Sequence, residues 1–428
     1  MDMEKWSSSR VFIIATIGSA VGLGNIWRFS AIAGLNGGGA YLLPFILAVI
    51  FLAFPLMVVE MAVGRHLEKD VVSSFRSLRE RYAWVGWFIF LVMVMITGVY
   101  LVITGWTLAF LVSSTGAMDL SFPDLTAGYL PVLFFLVTLA ITSLIVSKGV
   151  RSGIERMSNA LVPLTFVILA ILLVYSVQTT GFMQGLEYLF TPDFSKMSEA
   201  GLWTAAFGQA FFSLSVGYGL IITYSSYMGK DVNITRSAIA VCIADVSVAI
   251  IAGTIIFAVV FTNGLEPTVG AELAFVTLPA AFDGMLLGEL LAFLFFALLF
   301  TAALTSSVSM MEVNVASVMN NLSLDRVRSS LLVGGLVTVV GMAAALSYSA
   351  LDLRIMGERV LDILDHAFGT VGILLAALLT ALMFSWYVDR QFLEDEISCG
   401  CRRFVLPLVK YIVPVVLATV LLFTLLPI

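Results

Sequence analysis

The sequence predicts an all-α membrane protein: about eleven transmembrane helices in a five-plus-five inverted repeat, with helices 1 and 6 broken. Three observations carry that prediction. First, 60% of the 428 residues are hydrophobic and 12% are charged, with a mean hydropathy of +1.06. No soluble core absorbs that much apolar surface, so lipid is the solvent for most of the chain. Second, the apolar residues come in uninterrupted runs of about 20, the length a helix needs to cross roughly 30 Å of hydrocarbon. Barrel strands would alternate over about ten residues instead. Third, two of these runs, five spans apart, are interrupted by glycine or serine in matching places.

The runs justify each element in order. Span 1, near 10–34, contains "SAVGLGNIWRF" at 19–29, where Gly22 and Gly24 flank Leu23 and are followed at once by Asn25 and Arg28. An unpartnered polar group in lipid costs several kcal/mol, so a break here implies something polar to meet. Spans 2 to 5 lie near 40–64, 84–113, 127–147 and 158–177, the first of them carrying the acid Glu60. Span 6, near 201–228, includes "FFSLSVGYGLIITY", broken by Ser213, Ser215, Gly217 and Gly219. Paired glycines also mark helix packing surfaces, and for span 6 alone that alternative stays open. Span 7, near 235–263, holds Cys242 and Asp245. Span 8, near 285–320, sets Ala302, Thr305 and Ser306 at i, i+3 and i+4, on one helix face. Hydroxyls there also commonly bond back to their own helix. Spans 9, 10 and 11 lie near 327–348, 356–388 and 404–426.

A broken helix in each half points to repeats of about 10–177 and 201–388, with a ligand site at the midplane. Both lie in one transmembrane domain, 1–403, and 404–428 forms an additional helix. Freed N–H groups around Leu23 and Gly24 favour a carboxylate. Freed carbonyls around Gly18, Ala20 and Val21 favour a cation or an ammonium. A site offering both suits a zwitterion accompanied by a small cation.

Charge sets the orientation. Arg65, Lys69, Arg76, Arg79, Arg81, Lys148, Arg151, Arg156, Lys230, Arg236, Arg326, Arg328, Arg390, Arg402 and Arg403 fall in loops on one side. The opposite loops hold only Lys196, Arg354 and Arg359 among many acids, Glu272 included. The positive-inside rule places the amino terminus in the cytoplasm and, with an odd number of spans, the carboxyl terminus outside a plasma membrane. No cleavable signal peptide is expected. The net charge of −6 reflects acidic external loops; it needs no basic partner, and no nucleic-acid partner is expected. Cys242, Cys399 and Cys401 do not form a disulfide framework, and with His66 and His366 they make no metal site. Neither an H-E-x-x-H nor a G-x-S-x-G motif occurs, so no enzyme is expected.

"GSAVGLGNIWRF", "NGGGAYLLPF", "GQAFFSLSVGYG" and "ALTSS", in this order and across essentially the whole chain, resemble the neurotransmitter:sodium symporter family in its prokaryotic amino-acid branch. The resemblance implies sodium-coupled inward symport of a neutral hydrophobic amino acid by alternating access, with two sodium ions. One sodium site would comprise the Ala20 carbonyl, Asn25, Ser213, Asp245 and the substrate carboxylate. The other would use the carbonyls of Gly18, Val21 and Ala302 with the hydroxyls of Thr305 and Ser306. The substrate carboxylate would meet the Leu23 and Gly24 amides and the Tyr100 hydroxyl. Its ammonium would meet the Ala20 and Phe212 carbonyls and Ser215. Val21, Ile96, Tyr100, Phe212, Tyr218, Ser306 and Met310 would surround the side chain. Gly22 stands where monoamine carriers have an aspartate, which favours a substrate that brings its own carboxylate.

By the same resemblance Arg28 pairs with Asp365 as an external gate above the lid of Tyr100 and Phe212, and Glu60 supports the break in span 6. Gln209 and Ser213 remain of the family's chloride site, but Phe45 and Ala249 replace a tyrosine and a serine, and Asp245 replaces an asparagine. A fixed carboxylate beside sodium supplies the charge chloride would bring, so transport is expected to be chloride-independent. Titration of Asp245 would also permit proton return. The usual cytoplasmic gate pair is missing: its positions hold Met3 and Asn320, leaving Lys5, Glu4 or Glu312 to pair differently. That loss keeps a second reading open, a sodium-dependent amino-acid sensor with little transport. The oligomeric state is left open.

Overall fold

The computed structural model describes residues 4–266 and 274–426. Met3, Glu272 and the side chains of Arg390 and Cys399 lie outside the described residues. Among the described residues nine helices are long and apolar enough to cross a membrane, and a bent pair, Ser9–Ala20 and Gly24–Leu35, makes a tenth span. The eleventh is span 6, whose halves Ala200–Ser213 and Leu220–Ser226 are separated by six residues. The remaining spans are Gly39–Leu67, Glu80–Ser113, Leu130–Ser147, Val150–Ser176, Ile234–Thr262, Gly288–Leu322, Arg326–Leu346, Val360–Trp386 and Gly400–Leu425.

Burial separates inner from outer helices. In spans 3 and 8, 78% and 72% of the apolar window is buried, against 33–39% in spans 4, 5, 9 and 11, which therefore face lipid. Hydroxyl contacts stitch the inner helices together: Thr104 and Ser307 join spans 3 and 8 at 3.1 Å, and Thr165 and Thr301 join spans 5 and 8 at 3.1 Å.

Two expectations need correcting. Span 5 begins at Val150, eight residues before the hydropathy onset at 158, because its first turns carry Arg151, Glu155 and Arg156 and read as loop. Short helices also occupy connections left as loops, at Val71–Leu78, Phe122–Ala127, Phe182–Phe190, Thr277–Asp283 and Arg390–Glu396. The first is capped by Asp70, whose side chain accepts from the Ser73 amide. A hairpin of two-residue strands, Arg354–Ile355 and Glu358–Arg359, precedes span 10.

Candidate functional site

The bend of 51° in span 1 has a local cause. The Gly22 N–H donates to Asn25 Oδ1 at 3.0 Å instead of continuing the helix ladder to Gly18. Among the described residues the carbonyls of Gly18, Ala20 and Val21 then accept no hydrogen bond. Beyond the break the Leu23 N–H donates to the Tyr100 hydroxyl oxygen at 3.1 Å, and the Gly24 N–H has no acceptor among the described residues. Bare carbonyls thus end one half-helix and amides start the next, the polarity expected of a site for a zwitterion and a cation.

Span 6 breaks differently. Ser215, Gly217 and Gly219 all adopt positive φ, at 56°, 97° and 89°. The loop is held by Glu60, whose Oε2 accepts from the Gly217 N–H at 3.0 Å, and by Thr380, which donates to the Gly217 carbonyl at 2.9 Å. Ser215 Oγ donates across to the Ser19 carbonyl at 3.1 Å, so the two breaks face one another. The Phe212 carbonyl accepts from the Ser215 amide and the Tyr218 hydroxyl.

Two oxygen-rich clusters flank the breaks. In the first, Asn25 Nδ2 donates to Ser213 Oγ at 2.8 Å and to Asp245 Oδ1 at 2.6 Å, and Ser213 donates to the Asp245 carboxylate at 2.8 Å. All three side chains are buried. In the second, Thr305 Oγ1 donates to the Ala302 carbonyl at 2.9 Å, and Ser306 Oγ to the Ala302 and Ser19 carbonyls at 3.2 and 3.3 Å. A carboxylate, hydroxyls and carbonyls are the donor set of a hard cation, and both clusters fit sodium on those grounds.

Ser19, Ala20, Gly22, Gly24, Tyr100, Phe212, Ser213, Ser215, Ser306 and Met310 line a small cavity between the breaks. Ile96 lines a second one above it, of about 240 Å³, with Leu23, Gly24, Trp27, Arg28, Tyr100, Phe212 and Asp365. Val21 and Tyr218 are buried beside the breaks but line neither cavity. The external gate differs from expectation. Arg28 and Asp365 face the same cavity but form no ion pair among the described residues. The guanidinium instead lies over the Phe212 ring, 4.2 Å from its centroid, in a cation–π contact.

At the opposite end the chain is closed by contacts sequence reasoning did not assemble. Trp6 donates through its indole to the Tyr224 carbonyl and through its amide to the Tyr227 carbonyl. Lys5 pairs with Glu68 at 2.7 Å, and Glu4 accepts from the Val150 amide. Buried Glu312 is bound by Arg326 at 2.7 and 3.1 Å and by the Tyr227 hydroxyl at 2.7 Å. Glu312 was a candidate; Arg326 read only as a loop charge, since nothing local signals its approach.

The family described as the sodium:neurotransmitter symporter family matches residues 3–130 and 118–428. This chain belongs to that family. It is similar to the uncharacterized sodium-dependent transporter YhdH of Bacillus subtilis, with 34% identity over 96% of both chains. The crystal structure of MhsT in complex with L-phenylalanine superposes with a TM-score of 0.91, at 34% identity, over 98% of this chain and 99% of that one. The human sodium-dependent neutral amino acid transporter SLC6A17 shares 30% identity over 60% of this chain and 41% of its own length. The chain is thus a member of a membrane-spanning transporter family, and its fold matches that of MhsT.

Proposed function

We propose that this symporter carries a neutral hydrophobic amino acid inward, coupled to two sodium ions and independent of chloride. The observation that carries the reading is the break in span 1. Its unpaired carbonyls at Gly18, Ala20 and Val21 and its amides at Leu23 and Gly24 lie in a segment tied to Asp245 through Asn25 and to Ser306 through the Ser19 carbonyl. One sodium would lie among the Ala20 carbonyl, Asn25, Ser213 and Asp245. The second would lie among the carbonyls of Gly18, Val21 and Ala302 and the hydroxyls of Thr305 and Ser306. The substrate carboxylate would meet Leu23, Gly24 and Tyr100. Its ammonium would meet Ala20, Phe212 and Ser215, with Val21, Ile96, Tyr218 and Met310 around the side chain. The phenylalanine bound by MhsT supports an apolar substrate.

Asp245 supports chloride independence. It places a fixed negative charge against Asn25 and Ser213, while positions 45 and 249 hold Phe45 and Ala249, whose side chains have no hydrogen-bond donor for an anion. Inverted repeats of about 10–177 and 201–388 would supply the alternating access, with the amino terminus cytoplasmic. The sensor alternative drew on the missing inner gate pair. Glu312, Arg326 and Tyr227 offer a closure at that end, so transport is the reading we keep.

Energetics allow accumulation. One charge falling through 100 mV releases about 2.3 kcal/mol, and a tenfold sodium gradient adds about 1.4 kcal/mol. One coupled sodium therefore supports roughly 500-fold accumulation without slippage. The test is uptake of labelled hydrophobic amino acids into proteoliposomes, comparing external sodium gluconate with potassium gluconate. Sodium-driven accumulation without chloride is expected. Sodium-dependent binding in detergent with no accumulation in either salt would overturn transport in favour of sensing.

A further inference from the structure

A third, larger cavity lies away from the substrate path. It occupies about 670 Å³ where span 10 ends and span 11 begins, against Val59 of span 2. Its walls carry Arg402, Arg403, Lys410 and, among the described residues, a single carboxylate, Glu394, together with Trp386 and Tyr411. Glu394 is matched by Arg402 at 3.5 Å. Arg403 and Lys410 have no acidic partner within 4.0 Å among the described residues, which leaves the lining with two uncompensated positive charges. Lys410 is held in place by the aromatics: its ammonium lies 4.7 Å from the Trp386 ring and 5.8 Å from that of Tyr411, and its carbonyl accepts from the Trp386 indole at 3.2 Å.

The rim separates two sources of negative charge. Trp386 and Tyr411, which line the cavity, are 53% and 56% exposed, and Phe404 and Ile412, next in sequence to Arg403 and Tyr411, 40% and 48%, so exposed apolar side chains adjoin the basic lining. Tryptophan and tyrosine with a lysine stem are the side chains that settle at the headgroup level of a bilayer. Positive charge inside and exposed hydrocarbon outside match a molecule with an anionic phosphate at one end and fatty chains at the other. We propose that this cavity is a binding site for the headgroup of an anionic phospholipid. The phosphate lies between Arg403 and Lys410, and the acyl chains run over Phe404 and Ile412. With the orientation proposed above, the lipid comes from the cytoplasmic leaflet. The site touches none of the substrate-binding residues.

The test uses the full chain in detergent, titrated separately with short-chain phosphatidylglycerol, short-chain phosphatidylcholine and inorganic phosphate while the unfolding midpoint is followed. Phosphatidylglycerol should raise the midpoint saturably, and the other two should not. Removing one charge, in Arg403→Gln or Lys410→Gln, should weaken the half-saturating concentration about fivefold, on the basis of ~1 kcal/mol per basic residue. Arg403→Lys and Lys410→Arg should retain the effect, and all four variants should keep sodium-dependent amino-acid binding. An equal response to phosphatidylcholine would reduce the site to ordinary lipid solvation. An equal response to phosphate would make it a free-anion site. Glutamine variants that respond like the parent would place any lipid effect elsewhere. Each of these three results overturns the proposal.

Discussion

A β-carbon at Gly22 would stand 2.5 Å from Ser306 Oγ and 2.8 Å from the Tyr100 hydroxyl, closer than real β-carbons approach. The side chains that would have to yield are the proposed carboxylate and sodium ligands. Gly22→Ala should therefore weaken amino-acid binding about tenfold, from ~1–3 kcal/mol of overpacking, and an equilibrium binding assay checks it. Gly22→Asp should do worse, adding a charge beside the incoming carboxylate. Asp245 invites the opposite experiment. Asp245→Asn removes the fixed charge but keeps an oxygen for the cation. Uptake by that variant should fall and stay low whether or not chloride is present at constant sodium, since Phe45 and Ala249 give chloride no donor with which to replace the lost charge, while the parent stays indifferent. A parent protein that chloride strongly stimulates would contradict the role given to this carboxylate.

Span 6 needs its break to be held open, and Glu60 does so with one oxygen while the other has no partner among the described residues. Glu60→Gln preserves the acceptor for the Gly217 amide; Glu60→Ala leaves that amide buried and unpaired at a cost of about 1–3 kcal/mol. Thermal unfolding in detergent should find the alanine variant clearly destabilised and the glutamine variant near the parent. Equal losses would show that the hydrogen bond is not what matters. Glu60 and both breaks were legible because an acid or a glycine cluster inside an apolar run has few explanations. The spans were legible for the same reason, hydropathy being a local property. What was not legible is tertiary or short-range. The first turns of span 5 are polar, the helix Val71–Leu78 lasts only eight residues, and Arg28 rests on Phe212, not Asp365, through an approach no spacing encodes. Glu312 had many cations available in sequence, and only folding selects Arg326.

Across the molecule the two ends are unlike. A cavity reaches Gly24, Tyr100 and Phe212 from the side of Arg28, while Trp6, Lys5 and the Glu312–Arg326 pair shut the other. Breaking a buried pair by removing one partner costs about 3–5 kcal/mol. Arg326→Ala should shift the population toward opening at the amino-terminal end. Hydrogen exchange across 220–226 should quicken at least about tenfold as Tyr224 and Tyr227 lose their cover, with exchange in span 3 as the control. Unchanged exchange would mean that Trp6 alone closes that end. The uneven lengths of the spans have a consequence for the surrounding membrane. Leu130–Ser147, on the lipid face, has 18 residues and measures about 27 Å, whereas the interior Gly288–Leu322 has 35 and measures about 52 Å. The long helix overhangs a bilayer of any thickness, but the short one must draw the leaflets inward beside it. Lengthening the acyl chains raises the elastic cost of that local thinning, so bilayer thickness becomes a physical control on the carrier, set by its host membrane.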